Sequence, residues 1–295
     1  MRMTTKLGMA IFAITLPATQ ASAERIFGLT QSNGIVTFDS AALGVTTSSG
    51  SISGLASGDS LTGLDLRPSN RVLYSVGTSG NVYAITKNAV GRNYTATITG
   101  TTSPAPSGAG FGLDFNPVPD RIRLISNTDQ NLRINPMTGA TIVDGAITSN
   151  LGNVDIIGAA YARNRPGLGT TVLYAFDATN DTLLRSTNPN LGTYVNTNLA
   201  GVTFGPFGFD IGVSNNFGFD ISGGTGVAFV SNNDQFGTVN LTTGAATLLG
   251  TIGAGNLADI TAGSVPEPTT WLLMIGGFGL VGSAMRRRAA RVVVA

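Results

Sequence analysis

The sequence predicts an all-β domain built from a repeated four-strand unit, and three observations predict it. Apolar runs are short, rich in Val, Ile, Leu, Phe and Tyr, and bounded by Asn, Asp, Gly or Pro. No window sustains a 3.6-residue apolar spacing, so amphipathic helices find no support. The runs also recur with a period of about 45 to 60 residues, the range of β-propeller blades.

The repeat shows most clearly in its first strand. Leu61 to Pro68 (LTGLDLRP) resembles Gly110 to Pro117 (GFGLDFNP), and more loosely Ile156 to Arg163 and Phe217 to Ser222. A second strand follows each: Val72 to Val76, Ile122 to Ser126, Val172 to Phe176 and Val227 to Ser231. Across a tight turn comes a third, at Asn81 to Thr86, Asn131 to Asn135, Thr182 to Ser186 and Gly237 to Leu241. After a polar loop comes a fourth, at Thr95 to Thr99, Thr141 to Asp144, Thr193 to Asn196 and Ala246 to Leu249.

The earliest unit lacks its first strand. Ile26 to Thr30, Ile35 to Asp39 and Val45 to Ser49 supply strands two to four, while Leu257 to Ala262 stands alone after the last complete unit. A C-terminal strand that completes the N-terminal blade closes a ring and removes exposed edges. The expectation is a propeller of five four-stranded blades. A sixth, degenerate blade containing Gly201 to Gly212 is one alternative, and a β-sandwich is another.

The turns carry the right chemistry. Ser32-Asn33-Gly34, Ser79-Gly80, Asn127 to Asn131, Asp177 to Asp181 and Asn232 to Gln235 join second to third strands with residues that tolerate a left-handed backbone. Gly139 and Gly244 are expected to supply positive φ between third and fourth strands.

Both ends of the chain are addresses. Arg2 and Lys6, the apolar Leu7 to Leu16, and the small-residue site Ala21-Ser22-Ala23 lay out a secretory signal peptide at residues 1–23, with signal peptidase cutting before Glu24. The domain is expected over 24–263. At the far end, residues 269–285 carry no charge and as a helix reach about 25 Å, the thin end of a bilayer span. Trp271 stands at an interface position and Arg286, Arg287 and Arg288 form a basic stop.

The tail at 264–295 matches a family pattern. Val265-Pro266-Glu267-Pro268, the run from Trp271, Gly277-Phe278-Gly279 and the arginine triplet together resemble the PEP-CTERM sorting signal. That resemblance implies recognition by an exosortase and transient anchoring in the inner membrane of a Gram-negative bacterium. It further implies release to the cell envelope or extracellular matrix, in hosts that usually make extracellular polysaccharide. The central region is similar to an uncharacterised family of exported bacterial proteins with a propeller-like domain of unknown function. Leu61 to Pro68, Gly112 to Arg121, Asn131 to Pro136 and Asn240 to Gly250 carry that similarity. It supports the fold and implies no activity.

Composition excludes several chemistries. Residues 24–264 hold eleven basic against fifteen acidic residues, a net charge of −4, so there is no basic footprint for nucleic acid. With no cysteine and no histidine, disulfides, thiol catalysis, Ser–His catalysis and Cys/His zinc sites are excluded.

One constellation stands out. The first strands place Asp65, Asp114, Asp220 and Asp259 at matching positions, with Ala160 in the remaining unit. A ring of four carboxylates near the axis would bind a cation, calcium by its oxygen chemistry, or raise its own pKa values. Alternatively each Asp accepts backbone N–H bonds at its strand end. Arg121, Arg123 and Arg133 form a candidate anionic-ligand patch on adjacent strands, and Asp177 to Asp181 an incomplete calcium loop. The expected function is non-enzymatic: binding or structure towards exopolysaccharide or surface proteins. The alternative is a polysaccharide hydrolase or lyase using channel aspartates.

Overall fold

The computed structural model describes residues 23–197, 216–263 and 278. Its strands fall into sets that follow the repeat. The first set is β1 (Arg25–Thr30), β2 (Gly34–Asp39) and β3 (Ala42–Ser53). The second is β4 (Asp65–Leu66), β5 (Leu73–Val76), β6 (Asn81–Lys87) and β7 (Tyr94–Thr101). The third is β8 (Phe111–Asn116), β9 (Arg121–Ser126), β10 (Asn131–Ile134) and β11 (Thr141–Val143). The fourth adds a short strand, β12 (Thr148–Ser149), to β13 (Ile156–Tyr161), β14 (Leu173–Asp177), β15 (Thr182–Asn188) and β16 (Thr193–Asn196). Last come β17 (Phe217–Ile221), β18 (Ala228–Asn232), β19 (Gln235–Val239) and β20 (Ala246–Thr251), and then β21 (Leu257–Gly263).

Within each set, successive strands of the four-strand unit pair antiparallel. β21 returns to β1, with Arg25 opposite Gly263 and Phe27 opposite Thr261, which completes the set that opened the domain. A two-residue parallel contact, Ile52 with Tyr94 and Ser53 with Thr95, links β3 to β7 and fuses the first two sets into one eight-stranded sheet.

The first strands pack in a cycle: β4 on β8, β8 on β13, β13 on β17, β17 on β21 and β21 on β4. Glycine makes this approach close. A Cβ on Gly112 would stand 2.4 Å from the Ala159 nitrogen, and one on Gly218 2.6 Å from the Ile260 nitrogen. Five apolar clusters each bridge neighbouring sets. Leu29 and Ile35 pack with Leu64 and Tyr83, and Tyr74 with Phe115; Ile125 packs with the β13–β16 core, and Phe176 lies 4.7 Å from Phe219. Phe38 meets Phe236 edge-on at 5.3 Å and so joins the last set to the first. Full burial of each such side chain contributes about 1.5–3 kcal/mol.

The hairpins behave as their composition demands. Each second-to-third connection holds one left-handed residue: Asn33, Gly80, Asp129, Asp181 and Asn233. Gly139 and Gly244 both sit at φ 72°. One strand is shorter than its sequence suggests. Only Asp65–Leu66 of the Leu61 to Pro68 segment is regular strand, because the pairing slips by one residue between the Leu61–Gly77 bridge and Asp65 opposite Tyr74, and the Ser75 hydroxyl takes the Gly63 carbonyl in between. Residues 201–212 lie outside the described residues, as does the predicted 269–285 span apart from Phe278. Among the described residues no helix is long and apolar enough to cross a membrane.

Candidate functional site: an axial carboxylate cluster

Strand register fixes which residues share a level on the axis. Asp65 lies opposite Tyr74, Asp114 opposite Arg123, Ala160 opposite Tyr174 and Asp220 opposite Phe229. In β21 the residue at this level is Thr261, opposite Phe27. Asp259 therefore does not complete the ring that the sequence suggests. It sits two residues earlier, at the level of Gly63, Gly112, Gly158 and Gly218 in the other first strands.

Four of the five residues at the upper level do one job. Asp65 Oδ2 accepts the Phe115 amide at 2.8 Å, Asp114 Oδ2 the Tyr161 amide, and Asp220 Oδ2 the Ala262 amide at 2.5 Å. Thr261 Oγ1 accepts from the Leu66 amide at 3.4 Å. In every case the donor is one residue past the equivalent position on the next strand, so each side chain fastens its strand to its neighbour. Ala160 has no side chain that can do this. Asp259 makes the same kind of link at the lower level, where Oδ2 accepts the Leu64 amide at 2.8 Å over the bare face of Gly63. Two levels in matching register around the cycle mean that the first strands run in the same direction.

Burial sets the electrostatics. Asp65, Asp114, Asp220 and Asp259 are all under 9% exposed, and desolvation pushes all four carboxyls up, Asp220 to about 7. Mutual repulsion adds to this at Asp114, Asp220 and Asp259, while donated N–H bonds oppose it. Asp65 and Asp114 lie side by side, and their interaction favours the proton on Asp114, lowering Asp65 and raising Asp114. The Thr261 hydroxyl lies 2.8 Å from Asp65 Oδ1 and 3.2 Å from Asp220 Oδ2. One hydroxyl proton cannot serve both, so one of those contacts is satisfied only when a carboxyl carries a proton of its own.

One oxygen from each of Asp65, Asp114 and Asp220 lies within 4.8 Å of the other two, near enough to share a cation. The donor set suits calcium poorly. Calcium takes six to eight oxygens, and these carboxyls are occupied by amides, the Thr261 hydroxyl and Asn164 Nδ2. Asp220 Oδ1 alone makes no well-formed hydrogen bond. The geometry is that of a strand fastener.

The other candidates separate. Arg123 is 1% exposed and bonds Asp144, Asn131, Asn190 and Tyr161, while Arg133 pairs with the other Asp144 oxygen at 2.9 Å. With Arg123 and Arg133 committed to Asp144 and Arg121 turned to the Pro119 and Asp120 carbonyls, the expected anionic-ligand patch of Arg121, Arg123 and Arg133 does not form. Asp177 is fully buried and accepts from the Asp155 and Thr179 amides and Asn180, so its loop is a structural turn. Asp59, which carries no motif, ties Ser79, Asn81 and Tyr83 together; burial raises its pKa, but these donors outweigh it and hold the carboxyl below its ordinary range. Glu24, the expected mature N-terminus, is 2% exposed and held by Ser222 Oγ at 2.5 Å and by Thr225 Oγ1. Of these roles only that of Asp177 had a local sequence signal, the Asp-Ala-Thr-Asn turn in which it accepts from the Thr179 amide and Asn180. The others depend on contacts between distant strands.

Comparison with known proteins agrees with the two-part organisation. A family described as "Domain of unknown function (DUF4394)" matches residues 34–261, and the PEP-CTERM protein-sorting motif matches residues 264–288. A comparison with curated proteins found no match. Among solved structures, the chain is similar to a structural genomics protein of unknown function from Bacteroides thetaiotaomicron (13% identity, TM-score 0.43, 71% of this chain and 54% of that one). This chain thus spans about half the length of that protein. It is also similar to a chain of a nidogen/laminin complex (11%, 0.45, 81% and 98%) and to Myxococcus xanthus glutaminyl cyclase (13%, 0.43, 72% and 94%).

Proposed function

This chain belongs to the DUF4394 family, a domain of unknown function, and carries a PEP-CTERM motif that marks it as an exported, exosortase-sorted surface protein; from that premise we propose that it is a five-bladed propeller with a binding or structural role in the envelope or extracellular matrix. The reading of five blades rests on the cyclic packing of β4, β8, β13, β17 and β21, with β21 completing the blade of β1 to β3. Residues 1–23 are the export signal, and residues 269–285 anchor the precursor in the inner membrane until the sorting enzyme acts.

One observation carries the non-enzymatic role. The axial carboxylates, the most chemically distinctive cluster among the described residues, are buried and spent on fastening strands. A hydrolase or lyase needs carboxyls that reach a substrate. The partner classes are exopolysaccharide and other surface proteins. The test is to incubate the secreted protein with polysaccharide from its own host. Co-sedimentation without new reducing ends or unsaturated products is the expected result. Product release that is lost in Asp114→Asn would establish the enzymatic alternative.

A further inference from the structure

Exposed charge is divided between the two faces of the domain. Because the first strands run in one direction, connections from first to second and third to fourth strands share one face, and the remaining connections share the other. The first face carries exposed Arg25, Arg71, Lys87, Arg92, Arg163 and Arg165. Its acidic residues are Asp39, the buried Glu24, and Asp120, which is paired with Arg67 at 2.5 Å. The opposite face carries the exposed Asp129, the half-buried Asp155, Asp181 and Asp234 and the buried Asp59 and Asp177, and among the described residues neither Lys nor Arg. The domain is net acidic, yet one face is cationic.

Both chain ends leave from that cationic face. Arg25 pairs with Gly263, so the expected signal-peptide junction lies on it beside the last described residue before the sorting motif. The segment from Gly263 to the proposed anchor at residue 269 spans six residues, about 20 Å at full extension. A membrane holding the tail therefore lies close to this face. Anionic headgroups attract basic clusters at such range, within the reach that salt screening allows.

A pocket opens on the same face between the first two strand sets, with a volume of about 410 Å³. Arg25, Arg71 and Lys87 form its rim, and Phe27, Leu73 and Ile85 contribute apolar wall. The Ser48 hydroxyl also lines it, and that oxygen is buried without a hydrogen-bond partner. A basic rim over an apolar wall with one spare hydroxyl fits an anionic amphiphile better than a sugar, which would leave the wall unpaired.

We propose that the cationic face docks on an anionic phospholipid leaflet, and that the pocket at Arg25, Arg71 and Lys87 holds the headgroup and upper chain of one such lipid. This rests on the membrane anchorage of the tail proposed above. The chain has no cysteine, so single labels can be placed at will. Full-length precursor is reconstituted into phosphatidylcholine vesicles with or without phosphatidylglycerol, labelled at Ala89→Cys on the cationic face, Ser32→Cys on the opposite face, or Phe278→Cys in the tail. Headgroup-quencher lipids report on the first two labels and acyl-chain quenchers on the third.

The expected result is quenching at Ala89 that requires phosphatidylglycerol and is lost in high salt and in the Arg25→Gln, Arg71→Gln, Lys87→Gln triple variant, with Ser32 unquenched throughout. Equal quenching of Ala89 and Ser32, or quenching of Ala89 indifferent to phosphatidylglycerol, overturns the docking. If soluble polygalacturonate shifts the emission of the Ala89 label while phosphatidylglycerol does not, the face is a polysaccharide site and the lipid assignment fails. A Phe278 label outside the acyl region overturns anchor and docking together. A buried Phe278 label with an unquenched Ala89 label overturns docking alone.

Discussion

Asp259 Oδ2 accepts the Leu64 amide at 2.8 Å, joining residues 195 positions apart in the chain. This bond closes the cycle of first strands between β21 and β4, where the regular strand is only two residues long. The Asp259 carboxylate fills space that Gly63 leaves open, and its other oxygen accepts the Ile260 amide. The seam where chain ends and chain middle meet is thus held by a side chain.

Asp259→Ala would leave the Leu64 and Ile260 amides buried without acceptors. Each such amide costs about 1–3 kcal/mol. Urea unfolding should show a loss of at least about 2 kcal/mol for Asp259→Ala. A change below about 0.5 kcal/mol, the scale of ordinary surface substitutions, would mean that the seam is held by apolar packing alone.

Gly112→Ala tests the same cycle at a different contact. The added methyl would meet the Ala159 nitrogen at 2.4 Å and its Cβ at 2.6 Å, both on the facing strand. Neither atom can yield without moving β13. The variant should be destabilised by more than about 3 kcal/mol or fail to accumulate. Gly44→Ala, in β3, whose Cβ would meet nothing within 4 Å and which like Gly112 is not at positive φ, controls for the general effect of replacing a strand glycine.

The raised carboxyls make stability fall as pH rises. An unfolded Asp loses its proton near 3.8, whereas Asp220 keeps its proton to about 7 and Asp65, Asp114 and Asp259 are also pushed up. Between those limits the folded state binds more protons than the unfolded chain, so the slope of stability against pH is negative. Asp59 and Asp120 are held low and act oppositely, their contribution vanishing in stronger acid. Thermal melting should peak near about pH 4–5 and decline towards about pH 8. Asp220→Asn should flatten the decline, and a melting temperature that rises from pH 5 to 8 would refute the protonated cluster.

Much of this architecture was legible in the sequence. The strand positions follow from period-two apolar runs and turn residues, and the split first unit identified β21 as the partner of β1. The site was only half legible. Asp65, Asp114 and Asp220 recur within a short motif, so their common level could be read directly. Asp259 follows a different local pattern, LADITA against GLDF, and only pairing with β1 shows that Thr261 holds the shared level. Arg123 misled for a physical reason. An arginine on a strand normally faces water, but here Asp144 and two asparagines from separate segments compensate its burial.

Calcium should leave the domain's melting temperature unchanged at about pH 6, where the axial oxygens are held by amides and a hydroxyl. A rise that is abolished in Asp220→Asn would show that Asp220 Oδ1 recruits a cation and reorganises the cluster.

Arg123 and Asp144 form a buried pair at 2.5 Å, with side chains 1% and 5% exposed. Removing one partner from such a pair leaves an uncompensated charge, at a cost of about 3–5 kcal/mol. Asp144→Ala should approach that loss because it strips both Arg123 and Arg133. Arg121→Ala should be nearly silent, since among the described residues its guanidinium bonds only the Pro119 and Asp120 carbonyls. Equal effects from the two variants would show that Asp144 contributes no more than a surface contact.

The Glu24 contacts bear on where maturation stops. Its amide donates to Ser40 Oγ at 2.9 Å and its carbonyl accepts the Ser40 amide at 2.8 Å, while its carboxylate is held by Ser222 and Thr225. Cleavage after Ala23 would convert that amide into an ammonium that can still donate to Ser40, so the fold accommodates a mature chain starting at Glu24. Removing Glu24 as well would leave Ser222, buried in the last strand set, without its carboxylate partner, at about 1–3 kcal/mol. Intact-mass measurement on protein recovered from its host should therefore find Glu24 as the first residue and no mass from Trp271 onward. A mature form beginning at Arg25 or later, with an unchanged urea midpoint, would show that the latch does not matter. A mass that retains the arginine triplet would show that the tail stays on.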